Sequence, residues 1–134
     1  MSSGTNQQLV GAFYGEINRG GFNELARYCH DDFRFYHQVD TPHFGVAGFV
    51  ASETKNFDAF SNWRMSLQDM IATDDKVAAY MIFEGDHTGD WKGIAPTGRR
   101  LRFSLLMWLT IQDDKIVEKR AHFDQADIKA QLTR

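Results

Sequence analysis

The sequence predicts an α+β fold: a cone-shaped barrel in which a strongly curved antiparallel sheet carries three helices on its concave face. Apolar residues recur at helical spacing in the first half of the chain, whereas long stretches of the second half alternate between two faces. Short turns and one glycine-rich connection separate those alternating stretches, as in an antiparallel meander. A curved sheet closed by helices leaves an internal cavity, so the fold class also predicts a binding site.

Length and composition indicate one ordinary globular domain, residues 1–134, of which 43% are hydrophobic. The net charge of −3 gives no basic surface for nucleic acid, and no apolar run approaches the roughly 18 residues of a membrane span. The polar start of the chain lacks the features of a signal peptide. Cys29 is the one cysteine, which excludes an intramolecular disulfide and favours a reducing, cytoplasmic location.

The helices are predicted in the first half of the chain. The first helix covers residues 5–18, and Gly20 and Gly21 follow its end. Its buried stripe consists of apolar residues three to four positions apart: Leu9, Val10, Phe13, Tyr14 and Ile17. After it we expect a short helix over residues 22–29 and a strand over 33–38. A loop over 40–45 and a third helix over 46–58 follow.

The long strands are predicted after Asn62. They cover residues 63–72, 77–86, 101–111 and 116–123, and a short helical turn over 124–132 closes the chain. The two middle strands are largely apolar on both faces, so helices cover one face and further protein must cover the other. A second copy of the chain is the economical cover, which predicts a homodimer.

The connection over residues 85–100 contains four glycines and one proline between two strands. Pro96, Thr97 and Gly98 suit a tight turn, because proline presets φ and glycine accepts a positive φ. The loop is either purely structural or part of a site. In the second case Trp91 and Ile94 are candidates for a lid over the cavity mouth.

The aromatic fraction of 13% has two interpretations. The rings fill a core, or they form the wall of a cavity for a flat, apolar ligand. Under the second interpretation the substrate-binding candidates are aromatic, histidine and arginine side chains spread along the chain: Tyr14, His37, Trp63, Trp91, Trp108, Arg120 and His122.

Several motifs together resemble the SnoaL-like polyketide cyclases of the NTF2-like, or ketosteroid-isomerase-like, superfamily. They lie along nearly the whole chain, at residues 13–18, 25–28, 31–35, 85–89, 93–99 and 115–118, with Asp124 and Gln131-Leu132 in the closing segment. The glycine-bounded loop is the specific part of the match. The resemblance implies a cone-shaped α+β barrel that forms homodimers through the outer sheet face.

The resemblance also implies an activity, the closure of the last ring of an aromatic polyketide by intramolecular aldol condensation, without metal or organic cofactor. An aspartate near the end of the last strand acts as acid and base in that family, and Asp124 holds that position. Two departures concern the site. Arg120 replaces a tryptophan common in the family, and strand 101–111 has Trp108 and Thr110 but no histidine.

The chemistry of these residues fits aldol cyclisation, because burial raises the pKa of a carboxyl group toward the working pH. We predict Asp124 and His87 as catalytic residues, with Tyr14, His37 or His87 holding the developing enolate oxygen. The alternatives are structural. Asp124 could cap a helix, in which case the acid/base assignment would fail, and His87 could simply fix its loop.

The other candidate side chains also have two interpretations. His37 could be a core histidine beside apolar neighbours. Arg120 and His122 share strand parity with Asp124, so they could line the cavity or pair with acids at a dimer face. His37, His43 and Asp40 lack a metal-binding signature, so we predict neither metal nor cofactor.

The sequence therefore predicts a small enzyme that binds a hydrophobic, carbonyl-rich ligand and transfers protons, as a polyketide-cyclase-like aldol catalyst or a ketosteroid-isomerase-like isomerase. A non-catalytic ligand-binding or assembly domain on the same fold is the alternative. A hydratase or dehydratase would instead need a histidine and an aspartate facing each other across the pocket.

Overall fold

The computed structural model describes residues 3–36 and 39–134 of the chain. Helix α1 (Ser3–Asn18) and a 3₁₀ helix (Phe22–Tyr28) come first, followed by strands β1 (Cys29–Tyr36) and β2 (Pro42–Phe44) and helix α2 (Gly45–Phe57). Four strands and the last helix follow in the order β3 (Phe60–Ala72), β4 (Lys76–His87), β5 (Arg100–Gln112), β6 (Lys115–His122) and α3 (Gln125–Thr133).

The described strands form one six-stranded sheet in the order β2-β1-β6-β5-β4-β3. Strands β3 to β6 form the predicted antiparallel meander, and β1 pairs with β2 in antiparallel fashion. Strand β1, however, lies parallel to β6, so the sheet is mixed and the prediction of a wholly antiparallel sheet was wrong in this respect. The reason is the connection: α2 and the meander separate β1 from β6, and a long connection permits a parallel pair.

The helices cover the inner face of this sheet, as expected of the predicted cone. Helix α1 contacts β3 and β4, α2 contacts β1, and α3 contacts β5. Two asparagines of α1 fix it to the sheet: the Asn18 side chain exchanges hydrogen bonds with the Met65 backbone at 2.7 and 2.8 Å, and Asn6 donates to Thr73 and Asp74 carbonyls at 2.9 Å. The second predicted helix is a 3₁₀ helix.

Burial follows the alternation expected for the long strands. The inward residues of β4 and β5 are buried, among them Val77, Met81, Leu101, Met107 and Leu109. On the outer face Tyr80, Leu106 and Trp108 are exposed by 44%, 50% and 43%. The inner face of the sheet is thus covered by the helices, whereas its outer face exposes large apolar side chains. No described helix is both long and apolar enough to cross a bilayer.

Candidate active site

A cavity of about 530 Å³ lies between the inner face of the sheet and the helices. Its wall is mainly apolar, because the inward parity of β4 and β5 presents rings and aliphatic chains to the same space. These apolar side chains include Ile17, Phe49, Phe57, Phe60, Met65, Phe83, Leu101, Phe103, Leu105, Met107, Phe123 and Ile128. The volume lies within the range of pockets that bind small organic ligands.

Three of the polar side chains that line this cavity come from three different elements and are largely withdrawn from solvent. Tyr14 comes from α1, Glu53 from α2 and Lys119 from β6. An amine, a carboxyl group and a phenol around an apolar space can give and accept protons, and burial makes their interactions stronger than in water.

Lys119 is 2% exposed and lies among aromatic rings. Its Nζ is 4.8 Å from the Phe35 ring centroid, 5.2 Å from that of Phe49 and 5.7 Å from that of Tyr14. The Nζ donates a hydrogen bond to Met107 Sδ at 3.5 Å, and sulfur is a weak acceptor. Burial lowers the pKa of Lys119 to about 8, against the opposing effects of Glu53 and Cys29.

Glu53 lies in the middle of α2 and is partly buried at the cavity wall. Burial raises the pKa of its carboxyl group, while the charge of Lys119, that of His43 and a hydrogen bond with Asn56 oppose the rise. The result is a carboxyl group that holds its proton more readily than an exposed glutamate does. A raised pKa makes the corresponding carboxylate a stronger base toward a carbon acid.

Tyr14 is 2% exposed, and its ring packs edge-on against Phe13 at 5.1 Å. Its hydroxyl is buried and has no hydrogen-bond partner among the described residues. Burial raises the pKa of Tyr14 well above its usual value, and Glu53 and Cys29 add to the rise, so the phenol stays protonated. An unpaired buried hydroxyl costs free energy in the empty protein and is available to donate to a ligand.

Of the residues predicted from the sequence, Tyr14 and Trp91 line the cavity. Trp91 begins a tight hairpin in which it exchanges two backbone hydrogen bonds with Ile94, at 3.0 and 2.9 Å. Gly93 has φ of +85°, which only glycine adopts without strain, so its sequence position fixes this turn. Asp90, Lys92 and Ile94 belong to the same segment, and the first two also border the cavity.

Asp124 caps the N-terminus of α3. Its Oδ1 accepts a hydrogen bond from the Asp127 backbone N–H at 3.2 Å, and the residue is exposed. Its neighbours Phe123 and Gln125 line the cavity, whereas Asp124 is not among the described lining residues. This is the capping alternative given above, and the acid/base role of Asp124 stays a prediction.

His87 is fully buried within the loop and is not among the lining residues of the described chain. Its Nδ1 accepts a hydrogen bond from the Thr97 backbone N–H at 3.2 Å and lies 3.0 Å from Thr97 Oγ1. An accepting Nδ1 places the proton of the neutral ring on Nε2, which is buried without a partner among the described residues. His87 thus fixes the loop, and its catalytic role stays a prediction.

Four other candidates lie away from the described cavity lining. Trp63 stacks on the lining residue Phe57, with ring centroids 4.3 Å apart, and is itself not among the described lining residues. Arg120, His122 and Trp108 belong to the outward parity of the sheet, because Trp108 pairs with Arg120 and exposed Leu106 pairs with His122.

Arg120 has its polar partners on that outer side. It donates to Glu118 at 3.0 Å and lies 3.9 Å above the Tyr36 ring. His37, the remaining candidate, lies outside the described residues.

Sequence reasoning missed Lys119 and Glu53, although both carry a signal. Lys119 shares strand parity with Val117 and Ala121, so it is a lysine at an inward position. Glu53 lies four residues from Phe49 and four from Phe57, which puts a carboxyl group on the apolar stripe of α2. The signal for Lys119 and for Glu53 is therefore the same: a charged residue at a position where the periodicity predicts a buried apolar one.

The described residues contain no group of three histidine, cysteine, aspartate or glutamate side chains that could hold a metal ion.

Fold and cavity together define a small α+β protein that encloses an apolar cavity between a sheet and its helices. The chain belongs to the SnoaL-like polyketide cyclase family, whose model matches residues 8–132. Curated protein sequences gave no match to the chain.

Solved structures of low sequence identity share the fold. TsrD from Streptomyces laurentii is 24% identical, with a TM-score of 0.86 over 99% of this chain and 98% of that one. AclR, a candidate hydroxylase from Streptomyces galilaeus, is 22% identical, with a TM-score of 0.86 over 98% and 86%. A SnoaL-like polyketide cyclase from Agrobacterium tumefaciens is 20% identical, with a TM-score of 0.79 over 94% and 96%. At these identities the likeness shows the NTF2-like fold alone.

Proposed function

We propose that this protein is a small, cofactor-independent enzyme that binds a hydrophobic, carbonyl-rich substrate and catalyses an intramolecular aldol condensation of the polyketide-cyclase type. One observation carries the proposal: Tyr14, Glu53 and Lys119 border the same apolar cavity. Family membership supports the reaction class, since the family model is that of SnoaL-like polyketide cyclases.

The first step is proton transfer from a carbon next to a carbonyl group. The Glu53 carboxylate takes this proton, and the electron pair moves onto the carbonyl oxygen to give an enolate. The Lys119 ammonium and the Tyr14 hydroxyl stabilise that oxygen, because donors in a dry site interact strongly with developing charge. The Lys119 ammonium is the charged form of a group whose pKa of about 8 leaves it mostly protonated near neutral pH.

The second step forms the new ring. The enolate carbon attacks a second carbonyl group of the same substrate, and the resulting alkoxide takes the proton back from the Glu53 carboxylic acid. The apolar wall holds the folded substrate so that the two reacting carbons meet. The loss of chain entropy that ring closure requires therefore occurs on binding and no longer adds to the barrier of the reaction.

A ketosteroid-isomerase-like reaction would use the same base. Glu53 would then return the proton to another carbon of a conjugated enolate, and no carbon–carbon bond would form. The raised pKa of Glu53 suits either reaction, so the product distinguishes them.

A non-catalytic binding domain is the second candidate. The observation that favours it is the position of Asp124, whose carboxylate caps α3. In that case the cavity would bind an aromatic ketone without promoting proton exchange.

We also propose a homodimer that buries the outer face of the sheet. Tyr80, Leu106 and Trp108 carry large apolar surface there, and a second copy would cover it. Light scattering coupled to gel filtration measures the mass directly, and a monomer at micromolar concentration would contradict this proposal.

The test of the enzyme proposal is proton exchange at carbon. β-Tetralone, a bicyclic aromatic ketone, is incubated with the protein in D₂O, and loss of the α-proton signal is followed by NMR. We expect acceleration by the wild-type protein and a loss of about a hundredfold in Glu53→Gln, which removes the acid/base group at constant size.

Glu24→Gln is the matched control, because Glu24 is exposed and pairs with Arg27 on the surface. Binding of β-tetralone without exchange would support the binding-domain candidate. If a folded Glu53→Gln variant exchanges the α-proton at the wild-type rate, the acid/base role of Glu53 is contradicted.

A further inference from the structure

We infer that Lys119 is a nucleophilic amine that condenses with a ketone of the bound substrate to form an imine. The inference deepens the proposed function and rests on it in one respect, that the substrate carries a ketone. It changes the role of Lys119 from an electrostatic donor to a covalent catalyst.

The surroundings of Lys119 separate it from the other five lysines of the chain. All six lysines are among the described residues, and Lys119 is the one that is buried. Its Nζ lies near aromatic rings and a thioether sulfur. By contrast, Lys76 Nζ donates to Thr110 Oγ1 at 2.8 Å, and Lys115 Nζ donates to the Arg27 carbonyl. Lys119 Nζ donates only a weak hydrogen bond, to Met107 Sδ, within the described part of the chain, while the charge of Glu53 favours its ammonium form.

An apolar wall favours the neutral amine, which is the form that attacks a carbonyl carbon. Burial lowers the pKa of Lys119 to about 8. At pH 8 about half of this lysine is therefore neutral, roughly a hundredfold more than for an unperturbed lysine with a pKa near 10.4. Desolvated lysines of this kind act as Schiff-base nucleophiles in other enzymes.

Imine formation balances without any oxidant or reductant. The Nζ lone pair attacks the ketone carbon, the carbon–nitrogen bond forms, and a proton moves from the nitrogen to the former carbonyl oxygen to give a carbinolamine. The carbon–oxygen bond then breaks, and the hydroxyl leaves as water with a proton supplied by the Glu53 carboxylic acid. The product is an iminium ion on Lys119.

The iminium ion then replaces the ketone as the electron acceptor. The Glu53 carboxylate removes the α-proton, and the electron pair moves to nitrogen to give an enamine. The enamine carbon attacks the second carbonyl group, and the resulting alkoxide takes the proton from the Glu53 carboxylic acid. Water then adds to the new iminium carbon and gives up a proton to the Glu53 carboxylate, and the carbon–nitrogen bond breaks to release the cyclised ketone and the neutral amine. Tyr14 supplies a hydroxyl for the carbinolamine oxygen, since that hydroxyl is unpartnered among the described residues and its ring centroid lies 5.7 Å from Nζ.

The test is reductive trapping. The wild-type protein is mixed with β-tetralone and sodium cyanoborohydride at pH 8, and hydride from the borohydride reduces the iminium ion to a stable secondary amine. Intact mass spectrometry measures the adduct, and peptide mapping assigns it. We expect one adduct per chain on Lys119, formed about a hundredfold faster than on any other lysine because of the larger neutral fraction.

Three variants complete the design. Lys119→Met removes the amine at similar length, Lys119→Arg keeps the charge but cannot form an imine, and Lys129→Met removes an exposed lysine of α3. We expect no adduct at position 119 in the first two variants and a wild-type adduct in the third. Circular dichroism shows whether each variant folds, and Lys119→Met is expected to fold because it replaces a buried charge by an apolar chain.

The outcomes separate this inference from the proposed function. Equal labelling of all lysines, or no adduct on Lys119 of a wild-type protein that binds β-tetralone, would overturn the inference. If α-proton exchange then still depends on Glu53, the proposed function stands without the imine. If exchange is absent but Lys119 is trapped, the imine stands and the acid/base role of Glu53 fails.

Discussion

Lys119 of β6 stands opposite Phe35 of β1 in the parallel strand pairing, and its Nζ lies 4.8 Å from the centroid of the Phe35 ring. This pairing brings the amine to a wall of aromatic rings, with Glu53 of α2 close enough to affect the pKa of Lys119. A buried lysine in such a position weakens the fold, because desolvation of its charge is unfavourable.

Lys119→Met is expected to stabilise the protein in a pH-dependent way. The folded-state pKa of Lys119 is about 8, below the usual 10.5, so the folded chain binds fewer protons than the unfolded chain between these values. The penalty is complete below pH 8 and disappears as the pH approaches 10.5. The shift corresponds to about 3 kcal/mol, as an order of magnitude.

Urea unfolding of both proteins at several pH values measures this difference. Burial also raises the pKa of Cys29 and of Tyr14, which act in the opposite direction at high pH. Both groups remain in the variant, so the difference between the two proteins reports Lys119 together with its electrostatic coupling to Cys29 and Glu53. A difference that stays constant from pH 7 to pH 10 would show that the lysine is not desolvated.

Asp124→Asn and Asp124→Ala separate the two roles of this residue. As a helix cap, Asp124 is replaced well by asparagine, whereas alanine lowers the free energy of unfolding by about 1 kcal/mol. We expect Asp124→Asn to retain proton exchange, since the carboxylate caps α3. The sequence alone predicted the opposite, so loss of exchange in a folded Asp124→Asn variant would restore the acid/base role of Asp124.

Tyr14→Phe is expected to raise the stability of the fold and to lower the rate of α-proton exchange. It removes a buried hydroxyl that has no hydrogen-bond partner among the described residues, so the free energy of unfolding should rise by about 1 kcal/mol. The rate of α-proton exchange should fall, because a donor to the enolate oxygen is lost. Thermal unfolding and NMR exchange measure the two effects. A destabilised variant would indicate that the hydroxyl binds an internal water, and unchanged exchange would remove Tyr14 from the mechanism.

Cys29 is expected to be inert in the folded protein. Burial raises the pKa of its thiol to about 12, so the thiolate that reacts with alkylating reagents is scarce at pH 8. Iodoacetamide should therefore label the urea-unfolded chain rapidly and the native chain slowly, as followed by intact mass. Rapid native labelling would show that the first residue of β1 opens to solvent.

Much of the fold was predictable because the signals are local. Helix α1 was expected over residues 5–18 and begins only two residues earlier, and β5 was expected over 101–111 and extends by one residue at each end. The buried faces of β4 and β5 also follow from alternation. The parallel pairing of β1 and β6 was missed, because no local pattern states which distant strand lies beside β1.

The site was predictable only in part. Tyr14 and Trp91 line the cavity as expected, whereas Arg120, His122 and Trp108 lie on the outer side. Strand alternation predicted that Arg120, His122 and Asp124 share one face of a continuous strand. In the structure β6 ends at His122, and Asp124 is the N-cap of α3. The alternation of a strand does not continue beyond its end.

Local sequence patterns specify the succession of helices and strands and the apolar face of each, because residues near one another along the chain set those periodicities. Which of these faces share one cavity depends on how the elements pack in three dimensions. Tyr14, Glu53 and Lys119 are distant in sequence, and strand pairing and helix packing bring them to one wall. The same packing excludes water from Lys119 and Glu53 and so changes their pKa values, because desolvation depends on all the atoms around a group.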